Sequence, residues 1–314
     1  MIFYAGVPLQ VDGHAMGTLC VIDHQPRTLT PEQREQYFTQ GFVAVPAYVP
    51  QTWLVRLRSA IAELIDRSRS LTSSDDTFTL DQKHSAERPH LHRITNPQAV
   101  HPTFWEFFKD PLMTELAADV VGPDVKFHHS KLNVKSGQGS ASFKWHQDIP
   151  AWPHTDFSPV TIGIYIDACT LEQGPLAFIP GSNLGELHPM YKADGKFVGI
   201  YPVLRQHVKE DDIVRVPGVA GSVILLNCRV IHGSSTNVSD RARPLLLPVY
   251  SSADSFPYTT NPLPCPQCGE IVRGQAAKLA NFDTRPCVLP PDFRGKISAP
   301  WEVNTDQNAP AVMA

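Results

Sequence analysis

The 314-residue chain has no apolar run approaching the ~18 residues that a membrane-spanning helix needs, so no membrane partner is expected. It has no basic surplus either. Its 27 Lys and Arg stand against 31 Asp and Glu, a formal charge of -4, which excludes a whole-protein attraction to nucleic acid or anionic lipid. Cysteine is scarce: Cys20, Cys169, Cys228, Cys265, Cys268 and Cys287 are too few for a disulfide framework and fit a reducing compartment. Residues 1–9 are apolar but lack a basic leader and a defined small-residue cleavage site, so the expected location is cytoplasmic. Internal repeats and low-complexity segments are absent, which argues against a solenoid.

What is present is the composition of a folded globular protein, with 42% hydrophobic and 18% charged residues. The 29 prolines, well above the ~5% average, favour strands, turns and long connections over a helical bundle. Thr30-Pro31-Glu32-Gln33 combines an N-cap hydroxyl, a proline at the first helical position and a Gln three residues after the cap, and so predicts a helix start. A second helix is predicted from Gln51, because Leu54, Leu57, Ile61, Leu64 and Ile65 form one apolar stripe. Residues 66–101 are polar and irregular and read as a long loop, in which His84, His90, His92 and His101 are ordinary loop histidines. Helical pieces near 103–109 and 111–121 stop at Gly122-Pro123.

From Val125 the texture changes to short apolar runs bounded by Gly, Pro, Asn or Asp, at 125–134, 142–146, 160–168, 176–179, 213–216, 222–226 and 245–250. Runs of this kind with few helices between them predict an antiparallel sandwich or jelly roll, mainly β with flanking helices. On a strand, residues two apart share a face, so His146 and Asp148 can converge on one ion while Gln147 points away. His232 can supply a third ligand from another strand. Two imidazoles and a carboxylate leave adjacent coordination positions open, as in non-heme Fe(II) oxygenases. Arg243 opens the apolar strand Pro244-Leu245-Leu246-Leu247, where a guanidinium can grip a carboxylate in a two-pronged contact.

These residues stand in a longer pattern. Tyr37 to Val43, Lys131-Leu132-Asn133-Val134-Lys135, Trp145-His146-Gln147-Asp148, Gly174-Pro175-Leu176, Ile179-Pro180-Gly181-Ser182, His232-Gly233-Ser234 and Asp240-Arg241-Ala242-Arg243 resemble the phytanoyl-CoA dioxygenase family over roughly residues 30–290. The resemblance implies a double-stranded β-helix (jelly roll, cupin-like) using Fe(II), 2-oxoglutarate and O2. It implies His146, Asp148 and His232 as iron ligands and Arg243 as the partner of the distal carboxylate of 2-oxoglutarate. Ser234, Asn133, Lys135 and Thr161 are implied as further cofactor contacts. Oxidation of an unactivated C–H bond of a small molecule is the implied reaction. Because Asp148 keeps the carboxylate that related halogenases give up, hydroxylation or another oxidation is favoured over halogenation.

His129 stands where the related ectoine hydroxylases carry a substrate-binding Gln, and Trp152 corresponds to an aromatic in the segment after their iron ligands. The fuller signature of those enzymes is absent, so ectoine is not an expected substrate. Arg273, in Ile271-Val272-Arg273-Gly274, is a further candidate to close over an anionic substrate. Cys265-Pro266-Gln267-Cys268 lacks a second pair for zinc and sits among prolines, so it reads as two free thiols in a loop. Gly6-Val7-Pro8-Leu9 and Gly17 to Asp23 resemble the closing strands of a GAF domain. Residues 1–29 are read as a short β extension of that kind, residues 30–300 as the dioxygenase domain and residues 301–314 as a flexible tail. The competing function is a ligand-binding or sensory protein in which the GAF-like strands work and the jelly roll is a scaffold.

Overall fold

The computed structural model describes the backbone of residues 3–11 and 14–23, and residues 28–137, 142–200 and 209–290 in full. Strands β1 (Phe3–Val11) and β2 (His14–Asp23) pair antiparallel as a separate two-stranded sheet. The 301–314 tail lies outside the described residues. Helix α1 (Pro31–Gln40) starts with the reciprocal Thr30/Gln33 cap read from the sequence and ends at Gly41, whose φ of 84° a side chain would strain. Strand β3 (Phe42–Val45) and helix α2 (Gln51–Arg67) follow.

The segment expected to be a loop departs from that expectation. It contains strands β4 (Phe78–Leu80) and β5 (Leu91–Thr95), a hairpin joined to the sheet through the next long strand, and then the short helix α3 (Pro97–Val100). Strands of three and five residues are too short to show a period, and their stability comes from pairing with the sheet edge. Helices α4 (Pro102–Lys109) and α5 (Pro111–Val121) lead into β6 (Val125–Asn133) and β7 (Phe143–His146). The remaining strands are β8 (Val160–Tyr165), β9 (Leu176–Phe178), β10 (Val214–Val216), β11 (Val223–Asn227), β12 (His232–Ser234), β13 (Leu245–Ser252) and β14 (Ile271–Arg273).

Two antiparallel sheets make the jelly roll. One runs β10-β9-β12-β7, and the other β3-β11-β8-β13-β6-β5-β4, with β14 also on β6. The helices cover the outer face of the larger sheet: Leu54, Leu57 and Leu64 of α2 and Phe104, Phe107 and Phe108 of α4 share one core with Ile162, Ile164, Val223, Leu225 and Leu246. Each such side chain contributes about 1.5–3 kcal/mol on burial. The alternate residues of the same strands, among them Tyr165, Ile224, Leu226, Leu245 and Leu247, face the smaller sheet.

Strand β6 changes face midway. Val249 of β13 lies opposite His129 while Tyr250 lies opposite Phe127, so His128 is an extra, bulged residue. Before the bulge, Val125 and Phe127 pack under the helices; after it, Leu132 and Val134 do. Lys131 and Asn133 are thereby turned into the space between the sheets.

Candidate active site

His146 closes β7 and His232 opens β12, and the two residues are direct cross-strand partners. Their ring centroids are 4.2 Å apart. The Nδ1–H of His146 donates to the Lys144 carbonyl at 2.7 Å and that of His232 to the Val230 carbonyl at 3.1 Å, which leaves each Nε2 as a lone-pair donor. Both Nε2 atoms face Oδ1 of Asp148, at 3.8 and 3.9 Å. Ligand atoms of the three residues lie within 4.8 Å of one another, the only such group among the described residues.

Asp148 does not arrive there as a strand residue. The strand ends at His146, and Asp148 has helical backbone angles at the start of the short turn Ile149–Ala151. The alternation argument is corrected in that respect: convergence comes from the chain turning off the sheet. Gln147 does point away, donating to the Glu186 and Arg229 carbonyls at 3.1 and 2.8 Å and accepting from the His188 N–H at 3.0 Å. It thus pins two loops behind the triad.

Burial, reinforced by His232, lowers the His146 pKa to about 3, and burial lowers that of His232 as well. Both rings are neutral, the form that binds a metal. Burial opposes ionisation of Asp148, but the Lys131 ammonium 4.0 Å away and the Thr161 hydroxyl, donating at 2.8 Å, help hold its carboxyl below the usual range.

A cleft of about 490 Å³, its open mouth included, extends from the triad between the sheets. Arg93, Lys131, Asn133, Thr161, Ser234 and Arg243 line it, with Phe143, Leu176, Leu226, Leu245 and Leu247 as its apolar walls. Arg243 is only 2% exposed, yet none of its three guanidinium nitrogens has a hydrogen-bond partner among the described residues. Its backbone N–H is held by the Val134 and Lys135 carbonyls at 3.1 Å. A buried cation left in this state costs several kcal/mol and calls for an anion.

The other sequence-chosen residues fall into three places. Asn133 and Thr161 are on the cleft wall; Asn133 accepts from Arg93 Nε at 2.9 Å. Lys135 lies behind the wall, donating to Ser234 Oγ at 2.8 Å and to the Gly174 and Ser235 carbonyls. Gly174 makes room for it: at φ 62° an added Cβ would meet Ser235 O at 2.2 Å and Lys135 Nζ at 2.9 Å. His129 and Trp152 approach each other, with ring centroids 5.8 Å apart, but belong to a buried cluster with His128 and His154 and do not line the cleft. Arg273 is corrected: its guanidinium makes a two-pronged contact with Glu115 at 2.9 Å on the outer edge of β6, so it does not close over the cleft. The two free thiols are corrected too, because a tight turn brings Cys265 and Cys268 to a Cα separation of 5.3 Å and they form a disulfide.

Sequence reasoning missed Lys131 and Arg93 as site residues. Lys131 had a usable signal, since it alternates with Asn133 and Lys135. Arg93 had little, because it sits in the five-residue strand β5 within the apparent loop.

Residues 37–245 match the phytanoyl-CoA dioxygenase family. A probable alpha-ketoglutarate-dependent hypophosphite dioxygenase of Stutzerimonas stutzeri is 24% identical over 268 residues, covering 82% of this chain and 91% of that protein. An ectoine dioxygenase of Bordetella parapertussis is 25% identical over 252 residues, covering 74% and 78%. The crystal structure of EctD from S. alaskensis with bound Fe superposes with a TM-score of 0.58 at 22% identity, covering 81% of this chain and 87% of that one, which establishes the jelly-roll fold. With a family match spanning two thirds of its length and the triad in place, the chain belongs to the phytanoyl-CoA dioxygenase family.

Proposed function

We propose that His146, Asp148 and His232 hold Fe(II), and that Arg243 receives the distal carboxylate of 2-oxoglutarate with help from Ser234. The enzyme is an Fe(II)- and 2-oxoglutarate-dependent dioxygenase acting on a small molecule. The observation that carries the residue assignment is the guanidinium of Arg243, buried with no partner among the described residues, in the same cleft as three convergent ligands. A dicarboxylate of five carbons, with one end at a metal and the other at Arg243, answers both requirements at once.

The residues of this chain divide the work. Thr161 and Lys131 orient and hold the charge of Asp148, and the two backbone carbonyls fix the ring tautomers. Lys135 fixes the Ser234 hydroxyl, and Phe143 and the leucines exclude water. The cofactor set, when bound, supplies the reaction R–H + 2-oxoglutarate + O2 → R–OH + succinate + CO2. R–H and the keto acid each give up two electrons, and dioxygen takes four, placing one oxygen in R–OH and the other in succinate.

We read residues 30–300 as the catalytic domain and 1–29 as an appended GAF-like extension; the separate β1–β2 sheet supports this division. Among the described residues no helix is long and apolar enough to cross a membrane. A cytoplasmic location follows our reading of the sparse cysteines, and fractionation of expressing cells should place the protein with the cytoplasmic proteins. The central test of function is succinate formation from 2-oxoglutarate in the presence of Fe(II). His146→Ala should reduce it to background, and unchanged turnover in that variant would remove the triad from the mechanism.

A further inference from the structure

The Cys265–Cys268 disulfide does not line the cleft, and the reaction above makes no use of it. A bridge between cysteines three positions apart closes a very small loop, so it constrains the unfolded chain little and is weak as a structural staple. Both cysteines are partly exposed, within reach of a small thiol, whereas Cys169 and Cys228 are buried. In the reducing compartment proposed above, disulfides are typically transient and redox-sensing.

The two sulfurs are not equivalent. Cys268 Sγ accepts the Cys265 backbone N–H at 3.1 Å and the Asn261 Nδ2–H at 3.4 Å, and a sulfur that receives two N–H donors is stabilised as a thiolate. Cys265 Sγ has no such donor among the described residues. A carbonyl lies near each sulfur, that of His128 at 3.9 Å from Cys265 and that of Leu263 at 3.8 Å from Cys268, so the N–H donors make the difference. They stand in for the helix N-terminus that lowers a thiol pKa in other settings.

The bridged turn also clasps β6 around its bulge. Val125 and Lys126 pair with β14, and Lys131 to Asn133 pair with β5; between these stretches the edge of β6 is held by the turn and by Asn96. The Gly269 N–H donates to the Phe127 carbonyl and the Phe127 N–H to the Glu270 carbonyl, each at 2.9 Å. Asn96 donates its backbone N–H to the Ser130 carbonyl at 2.9 Å and accepts the Ser130 N–H at 3.1 Å, while its Nδ2 donates to the Leu263 and Pro264 carbonyls at 3.2 Å. The disulfide therefore closes a turn whose two ends reach β6 on either side of His128.

We propose that Cys265 and Cys268 form a reversible thiol–disulfide switch, opened by a small thiol and read by strand β6. A thiolate RS⁻ bonds to Cys265 Sγ, the Sγ–Sγ bond breaks, and its electron pair leaves on Cys268 Sγ, the sulfur with the two donors. A second thiol then displaces Cys265 from the mixed disulfide. The sum is protein disulfide + 2 RSH → two protein thiols + RSSR, in which two electrons and two protons pass to the protein. A small-molecule disulfide runs the same steps backwards.

The test uses the native full-length protein with excess reduced glutathione, and reads Cys265 and Cys268 by alkylation and peptide mass spectrometry. The bridge should open without denaturant and close again in oxidised glutathione; a bridge that yields only after unfolding would overturn the proposal. Asn261→Asp keeps the oxygen that accepts the Leu263 N–H but puts negative charge where the donor to Cys268 stood. It should slow reduction by about tenfold and raise the pH at which reduced Cys268 becomes alkylated, and an unchanged rate and pH would count against Cys268 as the leaving sulfur. Hydrogen exchange reads the strand: the amides of Phe127 and Gly269 should exchange about tenfold faster in the reduced protein, with Val223 to Leu226 of β11 unaffected. The double variant Cys265→Ser/Cys268→Ser should match the reduced protein, which separates the switch from any action of glutathione on other thiols. Equal exchange in the oxidised and reduced proteins would contradict a switch read by β6.

Discussion

Strand β6 feeds polar side chains into the interior on both sides of its bulge, and the two buried groups it serves differ in how their nitrogens are aimed. Beyond the bulge, Lys131 and Asn133 face a triad in which two imidazoles present their lone pairs to one carboxylate oxygen. At the bulge, His128 and His129 meet Nδ1 to Nδ1, and His128 packs 4.7 Å from His154 and 5.4 Å from Trp152. The Nε2 atoms of these three histidines also lack partners among the described residues, but they do not come together at ligand spacing. Burial depresses histidine basicity in both groups. Burial and unsatisfied nitrogens thus do not distinguish a metal centre from a packing cluster; convergence on a carboxylate does.

The comparison breaks first at the ligands. Asp148→Ala should abolish iron-dependent turnover, whereas His128→Phe, in the other cluster, should leave it within about fivefold; equal losses in a succinate assay would erase the distinction. Next comes acid stability, to which buried histidines inside and outside the packing cluster contribute. His154 is held at about 4 and His92 at about 3, so between those values and 6.5 the unfolded chain binds protons that the native chain refuses. Stability is therefore full above about pH 6.5 and declines as pH falls. His154 alone accounts for about 3 kcal/mol by pH 4. Urea midpoints of iron-free protein should rise from pH 4 to 6.5 and then level off, and His154→Phe should flatten that rise.

A smaller effect is expected at Lys135. Lys135→Met removes the donor that fixes Ser234 and should raise the KM for 2-oxoglutarate by about tenfold with kcat changed less, as steady-state kinetics would show. The smallest effect belongs to residues 1–29. Their deletion should leave turnover unchanged, and loss of turnover would favour the sensory reading of the GAF-like strands.

The sequence made the chemistry more legible than the path that builds it. His146, Asp148, His232, Ser234 and Arg243 could be named because their residue types and spacing are what the chemistry requires. The strands from β6 onward were legible because their apolar runs are flanked by Gly and Pro. The turn that delivers Asp148 was hidden, because His-Gln-Asp is equally compatible with two residues of strand and with a strand end followed by a helical residue. The bulge at His128 was hidden for a related reason: it shifts alternation by one without leaving a breaker residue. Lys131 lies beyond the bulge and shares its face with Asn133, so alternation with that residue was its legible signal. Arg93 was lost when 66–101 read as loop, since β5 owes its existence to its neighbour β6 and not to its own pattern. Arg273 misled because its partner Glu115 is distant in the chain and has no local signature, whereas the turn that joins Cys265 to Cys268 is local and was misread as an open loop.

The most direct test of the central claim is an anaerobic calorimetric titration of 2-oxoglutarate into Fe(II)-loaded wild-type protein and Arg243→Met. The wild type should bind one equivalent, and the variant should bind about a hundredfold more weakly. Its apo stability should be undiminished, because the substitution removes a buried charge that lacks a partner among the described residues. Equal affinity in the two proteins, or no binding by the wild type, would contradict the account.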